Sequence, residues 1–136
     1  MIGLDTNVLV RYLTDDDHAQ SQTVRHFFEK ELTPSRPGFL SLVTLAETIW
    51  VLQSVFGAKS RDLLPILATL ADDPRLAIQD VKALWLALES CEDGSLDLAD
   101  ALVAHVAREH GCSHTVTFDR KAARLPGMVL LRQTTS

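Results

Sequence analysis

Short apolar segments alternate with longer segments of helical periodicity along the whole chain, and this alternation most constrains the fold. Strands are predicted at residues 1–4, 38–40, 76–78, 114–117 and 128–131. Helices are predicted at residues 6–13, 19–32, 41–56, 60–71, 81–91 and 98–110. Strands that alternate with helices indicate an α/β sandwich around a mostly parallel sheet.

The length of 136 residues suits one domain, and we expect a single domain over residues 1–136 because the sequence shows no repeat, linker or low-complexity segment. No apolar run approaches the roughly 18 residues of a membrane span, and the first residues lack the basic start of a secretion signal. The two cysteines, Cys91 and Cys112, form no CxxC pair. These features favour a cytoplasmic, reduced protein that is not inserted in a membrane.

The formal net charge of −5 argues against a protein that holds nucleic acid through its overall charge, because phosphate binding needs Lys and Arg. It does not exclude nucleic-acid chemistry, since metal ions bound by carboxylates would add positive charge. An acidic surface would also suit a basic protein partner.

Four acidic residues are predicted at one edge of the sheet. Asp5 follows the first strand, and Asp119 follows the strand at 114–117. Glu47 lies about two turns into the helix that leaves the second strand, and Asp100 lies in the first turn of the helix before the fourth strand. Ligands of α/β proteins bind beyond the carboxyl ends of parallel strands, so this edge is the expected site.

Helix capping is an alternative explanation for several of these acids. Asp5 and Asp119 could each simply cap the helix that follows. In the pair Asp97 and Asp100 we expect Asp97 to be the N-cap, on a solvated face with His105 and Arg108. Asp100 falls on another face of the helix and is therefore the expected ligand.

Glu47 is unusual because its helix is otherwise apolar. At 100° per residue it is predicted to share a thin polar stripe with Thr44, Thr48 and Ser54. A carboxylate on so apolar a helix is rarely left unpaired, because burying a lone charge is costly. This favours a functional role for Glu47.

Carboxylates that gather at one edge repel each other and raise each other's pKa unless a cation lies among them. Oxygen ligands without His or Cys partners select Mg²⁺ or Mn²⁺. Such ions lower the pKa of a bound water and stabilise charge on a phosphoryl oxygen. The pattern therefore indicates phosphodiester hydrolysis.

Four segments in order resemble the PIN-domain pattern. They are residues 2–9 (IGLDTNVL), 45–47 (LAE), 97–102 (DLADAL) and 117–120 (TFDR). Their order and spacing are similar to those of the VapC-type toxins of toxin–antitoxin pairs, and the resemblance spans nearly the whole chain. It implies a three-layer α/β/α sandwich and a Mg²⁺- or Mn²⁺-dependent endoribonuclease.

The resemblance also implies roles for individual residues. Asp5 and Asp100 would be the principal metal ligands, and Glu47 and Asp119 would complete the catalytic pocket. Polar positions that the family uses to support the acids correspond to Thr6, Asn7 and Thr117.

The resemblance further implies partners, since VapC-like proteins are usually homodimers inhibited by a VapB-type antitoxin. The apolar helices at 42–56 and 63–70 offer surface for such contacts, and Trp50 and Trp85 are predicted to be core or dimer surface. Near the predicted site, the candidates for binding the RNA substrate are Arg120, Lys121 and Arg124.

Three other functions compete with this interpretation. The segment Leu4–Asn7 also resembles the aspartate nucleophile of haloacid-dehalogenase-like phosphatases, but those need a second Asp where Asn7 stands. A receiver-like phosphoacceptor would need a Lys after a later strand, and Lys121 is the only candidate. A catalytically silent PIN-fold binding protein is distinguished from the nuclease by metal-dependent cleavage.

Overall fold

The computed structural model describes residues 1–132 and 134, and the chain divides into two compact units, Met1–Val81 and Lys82–Ser136. The single domain expected over residues 1–136 stays a prediction. No helix within the described residues is long and apolar enough to cross a membrane.

The first unit contains a three-stranded parallel sheet in the order β1-β2-β3. Ile2 is the register partner of Gly38, and Phe39 is the partner of Ala77. Its elements are β1 (Ile2–Gly3), α1 (Thr6–Leu13), α2 (His18–Lys30), β2 (Gly38–Leu40), α3 (Leu42–Ser54), α4 (Ser60–Ala71) and β3 (Leu76–Ile78).

The second unit contains a pair of parallel strands, in which Thr115 is the register partner of Met128. A 3₁₀ helix at Ala122–Arg124 lies between the two strands in sequence. The other elements are α5 (Val81–Ser90), α6 (Leu98–Glu109), β4 (Thr115–Thr117) and β5 (Met128–Leu130).

All predicted strands and helices are present, with boundaries that match the prediction or differ from it by one or two residues. Helix α2 begins at His18, because Asp17 is its N-cap and accepts a hydrogen bond from the backbone N–H of Gln20 at 3.1 Å. Ser41 caps α3 as predicted, but the helix ends at Ser54 rather than near residue 56. The parallel strand pairs confirm the predicted α/β class.

His105 differs from its predicted position on a solvated face of α6. It is only 8% exposed, and its Nε2 lies 2.8 Å from Ser90 Oγ. Burial lowers the pKa of the imidazole, and the neighbouring charge of Arg108 lowers it further. The hydrogen bond to Ser90 explains how a polar ring can be buried there.

Arg75 connects three parts of the first unit. Its guanidinium donates from Nη2 to Asp73 Oδ2 at 2.8 Å and to Tyr12 Oη at 3.2 Å, and from Nη1 to the carbonyl of Phe28 at 3.3 Å. The rings of Tyr12 and Phe28 are stacked with centroids 3.8 Å apart. The side-chain hydrogen bond from Arg75 holds the pKa of Asp73 below its usual value. Helices α1 and α2 are thereby joined to the segment before β3.

We expect Arg75→Lys to lower the free energy of unfolding by about 1–3 kcal/mol, because lysine keeps the charge but cannot bridge the three partners. The difference in free energy of unfolding between the wild type and the variant should be largest above pH about 4. It should decrease as the pH falls through the lowered pKa of Asp73. Urea denaturation across this pH range measures it. Arg61→Lys, at an exposed position on α4, is the matched control. Equal losses in both variants would contradict the role of the network.

Candidate active site

Asp5 lies at the junction between β1 and α1. The backbone N–H of buried Leu4 donates to the carbonyl of Phe39 at 3.0 Å, so the chain is held to the sheet one residue before Asp5. Asp5 is the N-cap of α1, and its Oδ1 accepts from the backbone N–H of Thr6 at 2.8 Å. The second carboxylate oxygen accepts no hydrogen bond from any described residue. The carboxylate is exposed, so capping leaves one oxygen available to a ligand.

Glu47 accepts a hydrogen bond from Thr6 Oγ1 at 2.8 Å, which joins α3 to the start of α1. The predicted polar stripe is wrong, because Thr44 and Thr48 are buried while Glu47 is exposed. Thr48 Oγ1 donates to the carbonyl of Thr44 at 2.8 Å. A threonine that bonds to its own helix needs no contact with water, and this explains the error.

The first unit brings Asp5, Thr6 and Glu47 to one open pocket of about 440 Å³. Asn7 also lines it, and its exposed amide makes no hydrogen bond to a described residue. Sequence reasoning did not predict that Asp16, an acid from the turn after α1, would reach the same pocket. The remaining lining residues are Val10, Arg11, Val51, Val55 and Phe56.

Asp100 lies in the first turn of α6, in the second unit. The backbone N–H of Asp100 donates to Asp97 Oδ1 at 3.0 Å, which confirms Asp97 as the N-cap. The carboxylate of Asp100 is half-buried and accepts no hydrogen bond within residues 1–132. Burial raises its pKa, and so do the charges of Asp97 and Asp119, while Lys121 acts in the opposite direction. Burial and the two acids therefore each add a free-energy cost to the ionised form of Asp100.

Asp119 occupies the turn after β4 and also acts as a local cap. Its Oδ1 accepts from the backbone N–H groups of Lys121 at 2.8 Å and Ala122 at 3.2 Å. The predicted supporting residue Thr117 contacts the backbone rather than the carboxylate, since its Oγ1 accepts from the N–H of Asp119 at 3.0 Å. These bonds fix the turn and leave the second oxygen of Asp119 without a described partner.

The three predicted RNA-binding residues, Arg120, Lys121 and Arg124, follow Asp119 directly and are exposed. None of them forms a salt bridge with a residue that the structure describes. Lys121 is the cation whose charge acts on Asp100.

Residues 2–128 match the family model described as PIN domain. The chain belongs to the PIN-domain family. Neither a curated protein nor a solved structure matches it. PIN domains are generally nucleases, so membership supports a nuclease superfamily role and confirms the PIN-like α/β fold class.

PIN domains usually bind Mg²⁺ or Mn²⁺ through acidic residues. Neither unit of this PIN domain, within its described residues, holds three His, Cys, Asp or Glu side chains grouped as a metal site. The chemistry of the available donors nevertheless fits these ions. Among the described residues, one oxygen of Asp5, one of Asp119 and both of Asp100 accept no hydrogen bond, and carboxylate oxygens are the ligands that such hard cations prefer.

We expect Thr6→Val to lower nuclease activity about 10- to 100-fold, because valine keeps the shape of threonine but loses the hydroxyl that bonds to Glu47. Thr6→Ser should retain most of the activity. Thr23→Val is the matched control, since that exposed hydroxyl bonds only to its own helix at the carbonyl of Ala19. Wild-type cleavage by Thr6→Val, with an unchanged melting temperature, would show that the contact has no part in activity.

Proposed function

We propose that this protein is a Mg²⁺- or Mn²⁺-dependent endoribonuclease that hydrolyses RNA phosphodiester bonds. The observation that carries the proposal is the state of Asp100. Its half-buried carboxylate has no described hydrogen-bond partner, and burial and two neighbouring acids raise its pKa. An unpaired carboxylate in such surroundings costs free energy that a bound cation would offset. In a family of nucleases, a catalytic divalent ion is the natural occupant.

The four acids would hold the ion, with Asp5 and Asp100 as the principal ligands and Glu47 and Asp119 completing the set. When bound, the ion would lower the pKa of a water molecule and stabilise negative charge on the phosphoryl group. Thr6 would hold Glu47 in place through its hydroxyl. The exposed amide of Asn7 would contribute a polar group beside Asp5.

Several features of the polypeptide would position the acids before substrate binds. Capping bonds fix one oxygen of Asp5 and one of Asp119. Asp97 fixes the first turn of α6, which carries Asp100. Arg120, Lys121 and Arg124 would bind phosphates of the RNA, since all three are exposed and close in sequence to Asp119.

We further propose that the protein is the toxin of a type II toxin–antitoxin pair, acting in the cytoplasm and inhibited by a VapB-type antitoxin. The four motifs in VapC-like order support this role, and the net charge of −5 suits a basic partner. A homodimer is part of the same proposal. Helix α3 exposes Val43 at 71% and Trp50 at 65%, an apolar surface that a second copy would cover.

Metal binding can be measured without cleavage. In EDTA at neutral pH, Asp100→Asn should melt at the same temperature as the wild type or higher, because it removes a charge that its surroundings disfavour. Saturating Mg²⁺ or Mn²⁺ should raise the melting temperature of the wild type, with a stabilisation of about 2.7 kcal/mol at 100 times the Kd. The variant should gain much less. An equal metal-induced shift in both proteins would contradict Asp100 as a ligand.

The cleavage experiment uses purified, antitoxin-free protein and a panel of cellular RNAs with Mg²⁺, Mn²⁺ or EDTA. Asp5→Asn and Asp100→Asn should each lose more activity than the roughly 10- to 100-fold typical of an outer-sphere contact. Asp15→Asn should cleave normally, because Asp15 is an exposed residue paired with His18 and Arg25. Retained cleavage by either site variant would overturn the mechanism. No cleavage of any RNA by folded wild-type protein would favour a catalytically silent binding role.

A further inference from the structure

Phe118 is an exposed aromatic residue between β4 and Asp119. Its side chain is 67% exposed, although apolar rings are normally buried. Two residues earlier, in β4, Val116 is also 51% exposed. The ring is therefore available to a ligand at a position adjacent in sequence to one of the proposed catalytic acids.

The backbone on both sides of Phe118 is fixed. The carbonyl of Thr117 accepts from the N–H of Leu131 at 2.7 Å, and Thr117 Oγ1 accepts from the N–H of Asp119 at 3.0 Å. The carboxylate of Asp119 then caps the next turn by accepting from Lys121 N–H at 2.8 Å. A ring carried by a fixed turn loses little conformational freedom when it binds a ligand.

The charged residues that follow Phe118 in sequence indicate which class of ligand its ring would contact. Three of the 13 Lys and Arg residues of the chain fall within residues 120–124, the densest positive segment in a protein of net charge −5. None of the three has a salt-bridge partner among residues 1–132. Protein–protein interfaces are enriched in aromatic residues and Arg but depleted of Lys, whereas single-stranded nucleic acid is bound by aromatic rings together with both Lys and Arg.

We propose that Phe118 is a stacking platform for an unpaired nucleobase of the RNA substrate, with Arg120 and Lys121 holding the adjoining phosphates. The inference rests on the proposed nuclease function and adds a subsite to it, an aromatic platform for one base next to Asp119. A base within a duplex has both faces covered by its neighbours, so only an unpaired base can stack on the ring.

The test measures binding by the full chain in EDTA, where metal-dependent cleavage is absent. The probes are a fluorescent oligoadenylate of roughly 12 nucleotides, an abasic ribose-phosphate strand of the same length, and an RNA duplex. Phe118→Ala should weaken binding of oligoadenylate roughly 5- to 150-fold and leave binding of the abasic strand and the duplex unchanged. Phe118→Tyr should bind like the wild type, and Phe118→Leu should bind like Phe118→Ala, because leucine is apolar but has no aromatic face.

Two controls separate stacking from charge and from general aromatic content. Trp85→Ala removes another exposed aromatic, on α5, and should leave all affinities unchanged. The double variant Arg120→Ala/Lys121→Ala should weaken binding of every probe and flatten its salt dependence.

The inference would be overturned if Phe118→Leu bound oligoadenylate like the wild type, or if Phe118→Ala weakened binding of the base-bearing and abasic strands equally. A change in oligomeric state on sedimentation of Phe118→Ala, with unchanged oligoadenylate binding, would assign the ring to a protein contact instead. Wild-type cleavage of RNA with no effect of Phe118→Ala would leave the nuclease proposal standing and remove this one. A wild type that neither binds nor cleaves RNA would remove both.

Discussion

The close packing of Leu4 against Gly38 is the constraint on which the position of Asp5 depends. A Cβ at Gly38 would lie 2.7 Å from Leu4 Cδ1 and 3.1 Å from Leu32 Cδ1, so no larger residue fits there without movement of these side chains. Leu4 is buried, and its backbone bonds to β2 through the carbonyl of Phe39. Because Asp5 is the next residue, the packing of an apolar side chain against a glycine determines where the first acid of the proposed site lies.

The acids of the proposed site are held by hydrogen bonds rather than by ion pairs among the described residues. Asp5 and Asp119 each use one oxygen for capping, Glu47 accepts from Thr6, and Asp100 is held through the backbone bond to Asp97. No described Lys or Arg forms a salt bridge with any of the four. Bonds to neutral donors orient a carboxylate without neutralising it, so its charge is retained for a cation.

The sequence was sufficient to predict the strands and α-helices of the described residues, because apolar periodicity and capping residues such as Ser41 act locally. The predicted exposure was wrong where a polar side chain is buried with a hydrogen-bond partner that helical periodicity does not reveal. Thr48 bonds to its own helix, and His105 bonds to Ser90, so both are buried on faces predicted to be polar. A helical wheel gives the direction of a side chain but not the group with which it forms a hydrogen bond.

The four acids of the proposed site stay a prediction from strand ends and from the resemblance. The structure places two of them, Asp5 and Glu47, around one pocket of the first unit together with Thr6. The approach of Asp16 to that pocket depends on the length of α1 and the turn after it, which no local pattern specifies. The solvent exposure of Trp50 and Phe118 could not be predicted either, because a sequence does not show which apolar residues stay exposed to solvent after folding.

Asp5 and Asp119 each have a structural role as a hydrogen-bond acceptor besides their proposed catalytic role, and this affects how substitutions at these positions are interpreted. An alanine at Asp5 would remove the N-cap of α1 together with the carboxylate, and the loss of a cap alone costs about 0.5–2 kcal/mol. An alanine at Asp119 would remove the two hydrogen bonds that fix the turn after β4. In a library of random substitutions, a variant at either position could therefore lose activity because it folds less stably or because it lacks the carboxylate, and the library would not separate the two causes. Only the asparagine substitutions, which preserve the capping oxygen, would report on the negative charge itself.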